Sequence, residues 1–335
     1  MGWERLPDPP LSGRTTPAVV VVDDRLHVFG GWTALCPPGA DCTLPGGPAF
    51  RDGAVLDLDS SRWERMADAP YGLRGVSTAV LGSDVYVAST CHDDEHCQGP
   101  YSLLRYDTVA NRWDERASLP RPLRYLSLTA VGDRLLALST SDESGERPDA
   151  VYDPATDTWE ALPDDPLPGG HDRFAVVDDD RLLLFASIGV DDGERRKAVA
   201  SLDLRSRAWT TLPDAPGPGY QAWRSGDEVW LNPHYGPGGG VLDLATDAWQ
   251  PFPDAPEASE FDLAGVIGGG SATYEYDAGW VRDTDRNRWL LVPDRQDPAY
   301  DGTVTSLGDG LVVVGGQRWQ GDQGELVAET WIWRP

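Results

Sequence analysis

Two C-x5-C segments carry the residue types best able to do chemistry. Cys36 and Cys42 flank Pro37-Pro38-Gly39-Ala40-Asp41, and Cys91 and Cys97 flank His92-Asp93-Asp94-Glu95-His96. Four cysteines allow three pairings. The preferred reading is local, Cys36 with Cys42 and Cys91 with Cys97, which would staple two long loops and suit an oxidising compartment. The rival is a metal site, because two thiols with His92, His96 and the carboxylates between them are competent ligands. The spacing is not that of a zinc finger, and a short loop rich in Asp, Glu and His is ordinarily just solvated. No metal or other cofactor is therefore expected.

A second set of residues recurs by position. Counting back from the apolar runs places Arg14, Arg74 and Arg124 at one equivalent point in three successive units, with His171 near it in the fourth. Later units hold Tyr220 and Gln221, then Glu260, then Tyr300 and Asp301 in the same neighbourhood. Guanidinium groups grip carboxylates through forked hydrogen bonds, while the acidic and aromatic residues suit hydroxyl or amino groups. Glu260 or Asp301 with His171 are the weak candidates for an acid–base pair. The run Gly236-Pro237-Gly238-Gly239-Gly240 precedes a strand rather than a helix, so it reads as a turn and not a phosphate loop.

The elements that position these residues are set by a repeated phrase. Trp-x-x-Leu-Pro-Asp-x-Pro stands at Trp3 and returns in variant form at Trp63, Trp159, Trp209 and Trp249, with weaker copies at Trp113 and Trp289. An aspartate precedes the tryptophan by six residues at Asp57, Asp107, Asp153, Asp203, Asp243 and Asp283. The markers divide residues 1–335 into seven units, the range of period typical of propeller blades, and the whole chain reads as one domain. Each unit reads as four short strands bounded by turn residues, as in Pro17-Ala18-Val19-Val20-Val21-Val22, Asp23-Asp24, then Leu26-His27-Val28-Phe29. The aspartate is expected to accept from N–H groups of the turn after strand three, and the indole rings to pack between adjacent blades. The last unit has three strands at the C-terminus, and Gly2-Trp3-Glu4-Arg5-Leu6 supplies its fourth.

Composition excludes several partners. Lys+Arg 28 against Asp+Glu 55 gives a formal charge of −27, which repels nucleic acid and anionic membrane. No run approaches the roughly 20 apolar residues of a membrane helix. No targeting segment is read at the N-terminus, so a cytoplasmic location is the default, although paired C-x5-C loops would suit a secreted mature chain. A monomer is expected.

The second strands of the first and last units end in Val28-Phe29-Gly30-Gly31 and Val313-Val314-Gly315-Gly316. A double glycine after an apolar strand, then Trp and Leu-Pro, resembles the kelch repeat. Units two to five lack the doublet. The resemblance implies an all-β, seven-bladed β-propeller in which the loops from strand four to one, and from two to three, share one face. It implies a non-catalytic module binding a small polar ligand or peptide there, through Arg14, Arg74, Arg124, His171, Tyr220, Gln221, Glu260, Tyr300 and Asp301. It also leaves open that such arginines merely bond carbonyls of neighbouring blades. The alternative function is a carbohydrate-active enzyme on the same face, like the kelch-type sugar epimerases; a copper oxidase is disfavoured with only 5 histidines.

Overall fold

The computed structural model describes residues 2–335 except 38, 41–47, 92–99, 120–124, 141–146, 169–170, 189–195, 218, 220, 233–238, 254–255, 257–262 and 296–297. Among the described residues every regular element is a strand, and no helix is long and apolar enough to cross a membrane. The strands form seven four-stranded sheets and one separate hairpin. The chain packs as two compact units, residues 1–120 with 293–335, and residues 121–292.

The first unit holds three blades. Blade one is Ala18–Val22, Arg25–Phe29, Gly53–Asp57 and Arg62–Arg65. Blade two is Ser77–Leu81, Asp84–Ser89, Ser102–Asp107 and Arg112–Arg116. Blade seven is Thr303–Leu307, Gly310–Val314 and Thr330–Arg334, completed by the N-terminal strand Gly2–Arg5. That strand lies antiparallel to the last, with Gly2 opposite Arg334 and Arg5 opposite Trp331. The hairpin Gln317–Gln320 and Gln323–Leu326 rises from the loop between blade seven's second and third strands.

The second unit holds four blades. Blade three is Leu126–Val131, Arg134–Ser139, Ala150–Asp153 and Thr158–Ala161. Blade four is His171–Asp178, Arg181–Ile188, Arg196–Asp203 and Ala208–Leu212. Blade five is Ala222–Ser225, Glu228–Leu231, Gly240–Asp243 and Ala248–Gln250. Blade six is Leu263–Gly268, Ser271–Tyr274, Gly279–Asp283 and Arg288–Val292. It departs from the meander: Leu263–Gly268 pairs in parallel with Gly279–Asp283, which leaves Ser271–Tyr274 at the edge. Gly268, Gly269 and Gly270 all take positive φ and make the reversal between the first two of these strands.

The second strands are near-continuous apolar runs because both of their faces are covered. Leu182, Leu183, Leu184 and Phe185 are each wholly buried. One side of blade four packs its Val176, Leu183, Phe185 and Val199 against Val229, Leu231 and Leu242 of blade five. Each such side chain contributes about 1.5–3 kcal/mol.

The repeated phrase has a structural cause. Five of the marker tryptophans donate the indole N–H to the carbonyl four residues after the preceding marker. Trp3 reaches Pro293, Trp63 reaches Pro7, Trp113 reaches Ala67, Trp209 reaches Pro163 and Trp249 reaches Pro213, at 2.6, 2.7, 2.9, 3.0 and 3.0 Å. The tryptophan and the Leu-Pro that follows it are thus the donor and acceptor ends of one interblade latch. The aspartate works as expected: Asp107 Oδ1 accepts from Val109 and Ala110 N–H, and Asp203 and Asp243 repeat the pattern. These backbone bonds hold the Asp107 and Asp203 carboxyls below the ordinary range. A third periodic feature escaped the sequence reading. The residue two before the tryptophan is left-handed every time, at Ser61, Asn111, Asp157, Arg207, Asp247 and Asn287. Asn and Asp tolerate that backbone best.

His27 lies in blade one's second strand, 2% exposed, its ring edge-on to Tyr106 at 6.1 Å. Its Nδ1–H donates to the Arg25 carbonyl at 3.2 Å. Burial drives its pKa down to about 4. An unfolded histidine titrates near 6.5, so the stability this neutral ring supports is complete above pH 6.5 and drains away as pH falls toward 4. The expected loss is up to about 3 kcal/mol. Urea melts of wild type and His27→Gln across pH 7 to 4 check it: the variant should show a flatter profile, and parallel profiles would refute the assignment.

Candidate functional site

In the first unit the loops that enter first strands and those that leave second strands are laced together by main-chain bonds. Thr15 and Trp32 exchange N–H···O bonds of 3.0 and 2.9 Å, and Tyr300 and Gln317 do the same at 2.8 and 2.7 Å. Gly31 N–H donates to Leu73 O at 2.7 Å, Thr16 N–H to Asp301 O at 2.9 Å, and Gly316 N–H to Arg14 O at 2.8 Å. The double glycines exist for this lacing. A Cβ on Gly30 would stand 2.5 Å from Leu73 O, and one on Gly316 would stand 2.5 Å from Tyr300 O, with both residues at positive φ. This unit therefore brings Arg14, Arg74, Tyr300 and Asp301 onto one set of interlocked loops.

Register corrects the expected equivalence of the arginines. Each blade's first hairpin turns between paired residues, Val22 with Arg25, Leu81 with Asp84 and Leu307 with Gly310. Counting back seven residues from Val22, Leu81 and Leu307 gives Thr15, Arg74 and Tyr300. Arg14 stands one position earlier. The apolar run of unit one starts with Pro17, which shifts the count by one.

The two arginines have different surroundings. Arg14 is 1% exposed. Its Nε donates to Ser12 O at 2.9 Å, and Nη1 donates to Gly30 O and Asp52 Oδ1, both at 2.9 Å. The guanidinium lies 4.1 Å from the Phe50 ring centre, and Nη2 has no hydrogen-bond partner. Arg74 is half-buried, its guanidinium 4.5 Å from the Trp32 ring centre, and its Nη1 likewise has no partner. Both of these unpartnered nitrogens are buried.

Gln317 was not singled out by sequence. It is 1% exposed. Its Oε1 accepts from Cys36 N–H at 2.7 Å, and its Nε2 donates to Cys36 O at 2.8 Å and also to Asp301 Oδ2. One amide thus fixes both the first C-x5-C loop and the Asp301 carboxylate. Asp301 itself is left-handed, as are Thr16 and Gly75 at the same register point. Tyr300 is 52% exposed.

In the second unit, the strand containing His171 sets that residue opposite Ser187, and Gln221 is exposed with its carbonyl accepting from Asn232 N–H. Two buried cations near His171 were also missed. Arg173, 2% exposed, donates to Ser139 O at 2.8 Å, Asp149 Oδ2 at 2.7 Å and Asp165 Oδ2 at 3.0 Å. Lys197 donates to Asp172 O at 2.9 Å and Ser187 Oγ at 2.7 Å, and burial lowers its pKa to about 8. Arg124, Tyr220 and Glu260 fall outside the described residues, as do His92, His96, Cys42 and Cys97. Neither Cys36 nor Cys91 is a free cysteine. Among the described residues no group of His, Cys, Asp and Glu is arranged to hold a metal ion.

Seven four-stranded sheets, tied blade to blade by tryptophan latches, make this chain a seven-bladed β-propeller. Its blades are kelch repeats, as the similarities to known proteins agree. A kelch-like protein, terF, from Aspergillus terreus is 27% identical over 158 residues, covering 42% of this chain and 34% of that protein. Kelch-like protein 36 from Bos taurus is 27% identical over 164 residues, 47% of this chain and 26% of its own length. An N-acetylneuraminate epimerase from Brucella suis is 25% identical over 312 residues, 85% of this chain and 77% of the enzyme. The chain spans about a third or less of the two kelch-like relatives' lengths. No family model matches it.

Proposed function

We propose that this chain is a recognition module that takes a small polar ligand or peptide bearing a carboxylate on the laced loops of the first unit. The observation that carries the reading is Arg74: a half-buried guanidinium over the Trp32 ring, on interlocked loops, with one buried nitrogen that has no acceptor within the described protein. Arg14 supports it from beneath with a second unpartnered nitrogen, and the exposed Tyr300 offers a hydroxyl nearby in the lacing. The protein acts as a monomer, and its charge of −27 keeps nucleic acid and anionic membranes away.

An epimerase-like activity on a sugar acid is the second reading, favoured by the relative that spans 85% of this chain. It needs an acid–base pair. The pair read from sequence is Glu260 or Asp301 with His171, and Asp301 is bonded to Gln317.

Calorimetric titration with N-acetylneuraminate, and with a neutral hexose as control, tests the proposal. The acid should bind saturably and the hexose should not. Arg74→Ala should weaken binding by about tenfold or more, the loss expected for one charge-assisted hydrogen-bond pair. Equal affinity in wild type and Arg74→Ala would overturn it.

A further inference from the structure

A cavity of about 350 Å³ opens in the second unit between blades three and four, at the end that carries the two-residue hairpin turns. It is far along each strand from the laced-loop type of end that holds His171. Its aliphatic lining is Leu136, Val151, Leu202 and Leu204, and Arg134, Arg205 and Arg207 line it together with Asp133, Asp179 and Asp180.

The neighbouring pair of blades closes the equivalent place with an ion pair. In blade four Arg181 directly follows the first hairpin turn, opposite Asp178. It donates to Leu244 O at 3.3 Å and to the carboxylate of Asp247 in blade five. Asp247 stands two residues before its marker tryptophan. Arg134 holds the same place after blade three's turn, opposite Val131. The residue two before the next marker, Trp209, is Arg207. Leu204 stands to Arg207 as Leu244 stands to Asp247. Where one interface is latched by arginine on aspartate, the next has arginine facing a register position occupied by arginine.

Arg207 has its own counterion. Its Nη1 donates to Glu160 Oε1 at 2.6 Å and its Nη2 to Oε2, a two-pronged pair that uses both carboxylate oxygens. Arg134 forms ion pairs with Asp153 at 3.5 Å and Asp133 at 3.9 Å, and its side chain is 44% exposed. The cavity thus combines an aliphatic floor with a guanidinium whose ion pairs, among the described residues, are longer than the Arg181–Asp247 contact.

We infer that this groove binds a small amphipathic carboxylate, a short aliphatic chain ending in an anionic head. The head takes the acceptor position on Arg134 that Asp247 takes on Arg181, and the chain covers Leu136, Leu202 and Leu204. A volume near 350 Å³ lies at the lower end of small-molecule pockets, which fits a chain of medium length. This site is independent of the laced loops of the first unit.

Octanoate is the probe, titrated by calorimetry at low ionic strength, where an exposed charge pair is least screened. Octanol and octylamine serve as matched controls. Octanoate should bind saturably at one site, and both controls should bind at least about tenfold more weakly. Arg207→Asp rebuilds the latch seen between blades four and five, so it should reduce octanoate affinity by about tenfold or more. Leu204→Trp fills the floor and should do the same without touching a charge. Thermal melts of both variants establish that they are folded. Failure of octanoate to saturate, equal binding of octanol, or unchanged affinity in either folded variant would overturn the inference.

Discussion

Deleting residues 1–8 should lower the melting temperature of the chain by about 6 °C. The strand Gly2–Arg5 is the fourth strand of blade seven and forms a four-residue ladder with Arg334 to Trp331. Leu6 N–H adds a bond to Thr330 O at 2.9 Å. The Trp3 indole closes the latch to Pro293 at 2.6 Å, and the Arg295 guanidinium sits 5.3 Å from the Trp3 ring centre. Leu6 also packs on the cluster of Leu26, Val28, Val312 and Ile332 between blades one and seven. Each net hydrogen bond is worth about 0.5–1.5 kcal/mol, and the lost apolar contacts add to them, so the total is about 4 kcal/mol. For a chain of this size that corresponds to about 6 °C. The deletion also bares the edge of Thr330–Arg334, so the truncated protein should aggregate more readily. Differential scanning calorimetry measures the shift, and an unchanged melting temperature would contradict closure by the N-terminal strand.

Arg173→Met should cost about 3–5 kcal/mol. The guanidinium is the shared counterion of Asp149 and Asp165, both buried. Asp149 Oδ1 also accepts from Ser139 N–H at 2.9 Å, and Asp165 Oδ1 accepts from Leu167 N–H at 2.9 Å. Arg147 reaches Asp165 from the other side at 2.5 Å. Removing Arg173 leaves Asp149 without its cation and Asp165 with one of two, and a buried carboxylate without a partner is far costlier than the pair was worth. Arg173→Lys keeps the charge but loses the fork, so it should fall between wild type and Arg173→Met. Urea denaturation at neutral pH reads the difference, and a loss below about 1 kcal/mol would refute this role.

The blades were legible in the sequence because their markers are local. Trp209, Asp203 and Pro163 each do one thing in every copy, so period and spacing expose them. Gln317 was not legible because its partner Cys36 is 281 positions away in the chain, and nothing in either neighbourhood points to the other. Arg173 was hidden for a similar reason: its two carboxylates come from different loops. The arginine arc was half legible. Arg14 and Arg74 do meet on one set of loops, but Pro17 extends the apolar run that sets the count, and one residue of slip separates a pinned side chain from a half-exposed one. Blade six hid its crossed connection because Gly268-Gly269-Gly270 looks like a turn whichever strand it follows.

The central claim is that the laced loops of the first unit bind a carboxylate-bearing ligand through Arg74. Saturation-transfer NMR on wild-type protein and Arg74→Ala, with the same sugar-acid probe, tests it most directly. The account predicts saturable transfer to the probe with wild type, its loss in Arg74→Ala, and no acceleration of the exchange between the probe's anomers. Transfer that survives Arg74→Ala, or anomer exchange that wild type accelerates and Asp301→Asn abolishes, would contradict it and place the chain among catalysts.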